Sequence, residues 1–143
     1  MTEYDKTFIG IDYGERRIGL AKSDPTGLIA SALITIEINS QIDAIAQLEN
    51  IFAEYQPNGL VIGYPTHQSG DKSKICLQID KFIDKLSKIY NGEIFKVDEK
   101  YSSKEAISII HAHGKKIGQD KKRIDRLAAV IILQRFLDEE LIR

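Results

Sequence analysis

The alternation of hydrophobic and polar positions at the start of the chain predicts three short strands. They cover Phe8–Tyr13, Arg17–Ser23 and Leu28–Ile36. Between the second and third strands, Asp24–Gly27 reads Asp-Pro-Thr-Gly, a composition typical of a tight turn. Parallel pairing needs a long crossover and these connections are short, so we expect the three strands to form an antiparallel meander.

Beyond residue 40, apolar residues recur mainly at helical spacing, interrupted by two short strand-like runs. The predicted elements are, in order, a helix over Ile42–Tyr55, a strand over Leu60–Gly63, a helix over Ile75–Ile89, a strand over Glu93–Val97, a helix over Ser102–His113, a basic loop over Gly114–Lys122 and a helix over Arg123–Glu139. The last helix is apolar nearly all round at its centre, which predicts that it is buried.

This order of elements predicts an α/β protein built on one mixed five-stranded sheet. The first three strands supply the antiparallel meander, and the last two each follow a helical crossover, which makes them parallel. Helices are then expected on both faces of the sheet. Without internal repeats or a linker-like change in composition, residues 1–143 are expected to form a single domain.

The composition says more about the cellular compartment of the protein than about any reaction it catalyses. Cys76 is the single cysteine, which excludes a disulfide framework and a cysteine-based zinc site. The first residues make a poor signal peptide, and the longest apolar run, Leu127–Leu133, is too short to span a membrane. We therefore expect a cytoplasmic protein.

Net charge is −1, so any affinity for nucleic acid must come from the distribution of charge. One basic group is Arg16, Arg17 and Lys22, and a second runs from Lys115 to Arg126. Either group alone is more typical of a solvated loop than of a binding surface. Together beside a cluster of carboxylates, they would favour binding of phosphates.

Three acidic positions are candidates for chemistry. Asp12 ends the first, apolar strand, where it could also simply hydrogen-bond the following turn. Asp98 and Glu99 follow the fifth strand, and alternation allows only one of them to point inward. Asp125 is expected in the first turn of the last helix, where stabilisation of the helix dipole would be a sufficient explanation.

Carboxylates that converge at one sheet edge would repel each other unless a cation bridged them. Oxygen ligands suit Mg²⁺ or Mn²⁺, and two such ions about 3.5–4 Å apart can hydrolyse a phosphodiester. Nearby Arg and Lys residues would then hold backbone phosphates. The histidines His67, His111 and His113 are interpreted as surface residues.

Four blocks of sequence resemble the YqgF/RuvX family, described as pre-16S ribosomal RNA nucleases and earlier as Holliday-junction resolvases. The blocks are Gly10–Ala21 with Ser23-Asp24, Val61–Pro65 with Gly70, Val97–Glu99 with Ser102-Ser103 and Glu105-Ala106, and Ile124-Asp125 with Ala128–Gln134. They span nearly the whole chain, and the first and last are specific in combination. The family pattern differs here in having Lys100 in place of Arg, Tyr64 in place of Leu and His67 in place of Asn.

The resemblance implies an RNase H-like fold related to the RuvC resolvases, with a divalent-metal site. It selects Asp12, Glu99 and Asp125 as catalytic and metal-binding residues, and Mg²⁺ or Mn²⁺, as two ions, for the cofactor. The expected nucleic-acid-binding residues are Arg16, Arg17, Lys100, Lys121, Lys122 and Arg123. Lys100 keeps the charge of the usual Arg but loses its bidentate grip on phosphate.

Three functions remain open from the sequence. The first is a metal-dependent endonuclease that processes the 5′ end of pre-16S rRNA, with four-way junction DNA as the alternative substrate. The second is a nucleic-acid-binding module without catalysis. The third, suggested by Asp12-Tyr13-Gly14, is a phosphate loop like that of actin-like ATPases and sugar kinases, which need two such domains. Monomer and homodimer are both compatible with the sequence.

Overall fold

The computed structural model describes residues 7–65, 74–98 and 121–142. Its elements are β1 (Phe8–Asp12), β2 (Arg17–Ser23), β3 (Ala30–Glu37), α1 (Gln41–Tyr55), β4 (Gly59–Tyr64), α2 (Lys74–Ile89), β5 (Glu93–Asp98) and α3 (Lys121–Ile142). The predicted helix Ser102–His113 and most of the predicted loop 114–122 lie outside the described residues. No helix in the described part of the chain is long and apolar enough to cross a membrane.

The five strands form one sheet in the order β3-β2-β1-β4-β5. β1, β2 and β3 pair antiparallel, whereas β4 pairs parallel with both β1 and β5. This confirms the mixed sheet predicted from the order of elements. Since β1 and β4 are parallel neighbours in the middle of the sheet, their carboxyl ends meet at one edge.

Two hydrophobic cores occupy opposite faces of this sheet. One core packs α1 and α2 against residues such as Ile9 and Ile11 of β1. The other packs α3 through Ala129, Ile132, Leu133, Phe136 and Leu137. Each strand contributes alternate residues to the two cores, so the face of any strand residue follows from its neighbours.

Helix α3 differs from its prediction in start and in burial. It begins at Lys121 rather than Arg123, so Lys121 and Lys122 belong to its first turn and Asp125 to its second. One stripe is buried, whereas Leu127 keeps partial exposure, so the helix is not buried all round. The dipole explanation for Asp125 therefore fails, because the first turn contains no acidic residue.

The β2–β3 connection is held by Asp24, which explains why β3 begins at Ala30 and not at Leu28. Oδ1 of Asp24 accepts hydrogen bonds from the amides of Leu28 and Ile29, each at 2.9 Å. Its Oδ2 accepts one from the hydroxyl of Thr26. Because the side chain of Asp24 accepts from these amides, they do not take part in strand pairing. Leu28 and Ile29 therefore belong to the loop and not to β3.

Candidate active site

Asp12 lies at the carboxyl end of β1 and faces α3. Its neighbours Ile9 and Ile11 pack in the α1/α2 core, whereas a Cβ on Gly10 would lie 2.8 Å from Cβ of Leu133 in α3. Alternation therefore places the side chain of Asp12 on the α3 face. Asp12 is one of the few buried polar residues among those described, with 9% of its surface exposed.

Gly19 brings the second candidate carboxylate to the same place. It is the cross-strand partner of Asp12 in β2, so the two positions share a face of the sheet. A Cβ on Gly19 would lie 2.0 Å from the backbone carbonyl oxygen of Asp125, which only a glycine permits. Asp12 and Asp125 are therefore both immediate neighbours of Gly19.

Arg17 contacts Asp125 directly. Its Nε donates to Oδ2 of Asp125 at 2.7 Å, a charge-assisted hydrogen bond of the short, strong kind. The side chain of Arg17 is 32% exposed and that of Asp125 is 18% exposed. Arg17 was expected to bind phosphate, and in the structure its guanidinium pairs with a candidate metal ligand.

A second ion pair connects β3 to the start of α3. Arg17 is the cross-strand partner of Glu37 in β3, and Glu37 accepts a salt bridge from Nζ of Lys122 at 2.5 Å. Lys122 and Asp125 are three positions apart in α3 and so lie on the same side of the helix. The hydrogen bond and charge of Lys122, with a smaller contribution from the charge of Arg17, lower the pKa of Glu37.

Thr35 adds an uncharged anchor at the start of α3. It is buried on the α3 face of the sheet and is the β3 partner of Gly19. Its hydroxyl donates to the backbone carbonyl of Lys122 at 2.6 Å. Thr35 and the two ion pairs together hold the first two turns of α3 against the sheet, and with them Asp125.

Several of the predicted nucleic-acid-binding residues are accessible to solvent. Arg16 and Lys121 are exposed, and Arg123 is partly exposed. Beside them is an open cleft of about 540 Å³ lined by Glu15, Arg16, Arg17, Glu37, Ile38 and Asn39. Lys122 lies nearby but is paired with Glu37, and Lys100 lies outside the described residues.

Strand β5 shows which face of the sheet Asp98, its last residue, occupies. Phe95 and Val97 pack in the α3 core, whereas Lys96 contacts Asp80 of α2 at 3.9 Å on the other face. Asp98 is two residues after Lys96 in the same strand, so it lies on the same face of the sheet as Lys96. That is the α2 face and not the face of Asp12. Glu99, a predicted metal ligand, lies outside the described residues.

The two described candidate carboxylates, Asp12 and Asp125, are chemically suited to bind a hard divalent cation. Asp12 and Asp125 supply oxygen ligands, as Mg²⁺ and Mn²⁺ prefer. Within residues 7–65, 74–98 and 121–142, no three His, Cys, Asp or Glu side chains gather into a metal-binding group. The predicted third ligand, Glu99, is not among them.

Sequence reasoning did not find Gly19, Thr35 or Glu37. Gly19 stands inside a block that resembles the family, but its contact partner lies more than a hundred positions away in the chain. Thr35 and Glu37 occupy an ordinary strand. The one available signal was an interior glycine in a strand, which often marks the close approach of another backbone.

Comparison with known proteins agrees with this fold. Among solved structures, RuvC of Thermus thermophilus in complex with Holliday junction substrate gives a TM-score of 0.61 at 13% identity, covering 95% of this chain and 96% of RuvC. The fowlpox virus resolvase with Holliday junction DNA gives 0.58 at 14% identity, covering 96% of this chain and 99% of the resolvase. The chain therefore has the RNase H-like fold of the RuvC-type resolvases.

The family is established by sequence. The model of the RuvX family, described as Holliday junction resolvase, matches residues 6–139. A relative from Mycoplasmopsis synoviae, named "Putative pre-16S rRNA nuclease", is 40% identical over 131 residues, covering 91% of this chain and 96% of the relative. A Roseiflexus relative of the same name is 37% identical over 92% of this chain and 94% of its own length. The chain belongs to the RuvX family.

Proposed function

We propose that this chain is a divalent-metal-dependent endonuclease that hydrolyses phosphodiester bonds and processes the 5′ end of pre-16S rRNA. The observation that carries the proposal is the placement of Asp12 and Asp125 on one face of the sheet, each next to Gly19. The relatives named as pre-16S rRNA nucleases support the choice of substrate.

Asp12, Asp125 and Glu99 would hold Mg²⁺ or Mn²⁺, as two ions. When bound, such ions activate a water molecule and stabilise the leaving oxygen of a phosphodiester. Asp12 would supply a fixed ligand from the sheet, and Asp125 one from α3. Glu99 is preferred over Asp98 because Asp98, the last residue of β5, lies on the α2 face of the sheet and not on the face of Asp12.

The basic residues would hold the substrate. Arg16 and Lys121, which are exposed, and Arg123, which is partly exposed, can contact backbone phosphates. Lys100 and Lys122 are assigned the same role, Lys122 while it also pairs with Glu37. Such contacts position a substrate without reading its bases, so they serve RNA and branched DNA equally.

Four-way junction DNA is the second candidate substrate, because the matching family is described as a Holliday junction resolvase. The test is cleavage of a precursor 16S rRNA fragment and of a synthetic four-way junction, each with Mg²⁺, Mn²⁺ or EDTA. We expect metal-dependent cleavage of the RNA, lost in Asp12→Asn and retained in Asp84→Asn, which changes an exposed carboxylate of α2.

Each remaining outcome has a definite meaning. Cleavage of the junction alone would replace the RNA substrate by DNA. Binding of either nucleic acid without cleavage in any metal would favour the non-catalytic module. Asp12→Asn with full activity would remove Asp12 from the metal site.

A further inference from the structure

The contact between Arg17 and Asp125 involves one oxygen of the carboxylate. Nε of Arg17 donates to Oδ2 at 2.7 Å, and this is the described hydrogen bond between the two side chains. A carboxylate has two oxygens and about four lone-pair sites, so a donor on Oδ2 leaves Oδ1 able to bind a cation. The pairing therefore does not block coordination by Asp125.

We propose that Arg17 is a positioning residue for the metal site: it holds Oδ2 of Asp125 so that Oδ1 is directed to the cation. This inference rests on the proposed function, because it takes Asp125 as a metal ligand. Residues that hydrogen-bond a metal ligand orient it, and their loss typically weakens metal binding by about 10–100-fold.

The surroundings of Arg17 support a fixed orientation and not a transient surface contact. Its backbone is in β2, where Arg17 pairs with Glu37 of β3. Glu37 is in turn tied to Lys122, one turn before Asp125 in α3. Both partners of the Arg17–Asp125 pair are thus held by separate elements, so the side chains lose less freedom when they meet.

The opposite role is a competing counter-ion, in which the guanidinium occupies Asp125 until a metal displaces it. The two roles predict opposite signs for the same measurement. If Arg17 orients Asp125, its removal weakens binding of the cation. If Arg17 competes with the cation, its removal strengthens binding.

The experiment is titration of the full chain with Mn²⁺, followed by calorimetry and by electron paramagnetic resonance of free Mn²⁺. We expect Arg17→Gln to weaken binding by about tenfold or more. Arg17→Met, which keeps the apolar stem, provides the same test if the Gln variant does not fold. Circular dichroism verifies that each variant is folded.

Two control variants test whether the effect of Arg17 comes from orienting Asp125. One removes a nearby positive charge, and the other weakens the attachment of α3 to the sheet. Arg126→Gln removes the same charge from the residue next to Asp125, whose described side-chain contact is a long 3.5 Å bond to Thr35. Glu37→Gln loosens the start of α3 without touching Asp125. We expect Arg126→Gln to change the Mn²⁺ affinity by less than about twofold, and Glu37→Gln to weaken it by clearly less than Arg17→Gln does, because the Arg17–Asp125 hydrogen bond remains.

An increase in affinity in Arg17→Gln would overturn the proposal, as would an equal decrease in either control. Asp125→Asn distinguishes this failure from failure of the proposed function. If the wild type binds Mn²⁺ and Asp125→Asn does not, an unchanged Arg17→Gln affinity refutes the role of Arg17 alone. If Asp125→Asn binds like the wild type, Asp125 is not a ligand, so the role of Arg17 is refuted and Asp125 is removed from the proposed metal site.

Discussion

The carbonyl oxygen of Asp125 would lie 2.0 Å from a Cβ at Gly19, so the second turn of α3 rests directly on the backbone of β2. Gly19 is at the same time the cross-strand partner of Asp12. The absence of one side chain therefore sets how close two candidate ligands from distant parts of the chain can come. The contact makes Gly19 a determinant of the site although it carries no functional group.

Gly19→Ala is expected to destabilise the protein and to weaken metal binding. The added methyl group would force α3 away from the sheet, and overpacking of this kind costs about 1–3 kcal/mol. The measurements are urea unfolding and Mn²⁺ titration. Ala32→Ser also adds one atom, but at an exposed position of β3, and should change stability by less than about 0.5 kcal/mol. Equal affinity in Gly19→Ala and wild type would contradict this role.

Thr35→Val is expected to loosen the start of α3. The variant keeps the shape of the side chain but removes the hydroxyl that donates to the carbonyl of Lys122 at 2.6 Å. A bond of this kind contributes about 1 kcal/mol. Amide hydrogen exchange in the first turns of α3 should accelerate, whereas Thr35→Ser, which retains the donor, should preserve their protection. Unchanged exchange in the valine variant would show that other contacts suffice.

Metal binding is expected to stabilise the folded chain through Asp12 and Asp125. A ligand at a hundred times its dissociation constant adds about 2.7 kcal/mol to the free energy of unfolding. Mn²⁺ should therefore raise the Tm of the wild type and of Asp84→Asn, a variant that changes an exposed residue of α2. It should leave Asp12→Asn and Asp125→Asn nearly unchanged. A full shift in either of these two variants would remove that residue from the ligand set.

The architecture could be predicted from local patterns. The order of strands and helices follows from periodicity, and short connections determine which strands are antiparallel. The start of α3 could not be predicted in this way, because Lys121, Lys122 and Arg123 form a charged run that is typical of a loop. In the structure these residues are helical, and two tertiary contacts hold them to the sheet: Thr35 bonds the carbonyl of Lys122, and Glu37 pairs with its ammonium group.

The candidate site was harder to predict than the fold, for the same reason. Asp12 could be ranked because a carboxylate at the end of an apolar strand is costly to bury. The partners of Asp125 could not be ranked, since Arg17 is 108 positions away and Gly19 has no side chain to attract notice. Such contacts exist only once the sheet and α3 are assembled. Asp98 and Glu99 could not be separated from the residues alone either, and it was the resemblance to the family that selected Glu99.

Asp24 is expected to make stability depend on acid pH. Hydrogen bonds from the hydroxyl of Thr26 and the amides of Ile29 and Leu28 lower its pKa from 3.8 to about 2. Because the folded pKa lies below the unfolded one, its contribution is present above about pH 4 and is lost as the pH falls to about 2. Asp24→Asn should lower the urea midpoint at neutral pH, and the gap to the wild type should narrow in acid. A gap that is constant with pH would mean that the charge is not what matters.

The salt dependence of nucleic-acid binding is expected to identify the residues that contact phosphates. Removal of one basic residue that binds a phosphate lowers the slope of log affinity against log salt by about 1, because fewer counterions are released. Arg16→Gln and Lys121→Gln remove exposed charges beside the candidate site, so each should reduce this slope for a structured RNA. Lys81→Gln removes an exposed charge from α2, on the opposite face of the sheet, and should leave the slope unchanged. If all three variants reduced the slope equally, binding would depend on overall charge, and the basic residues near α3 would have no special role.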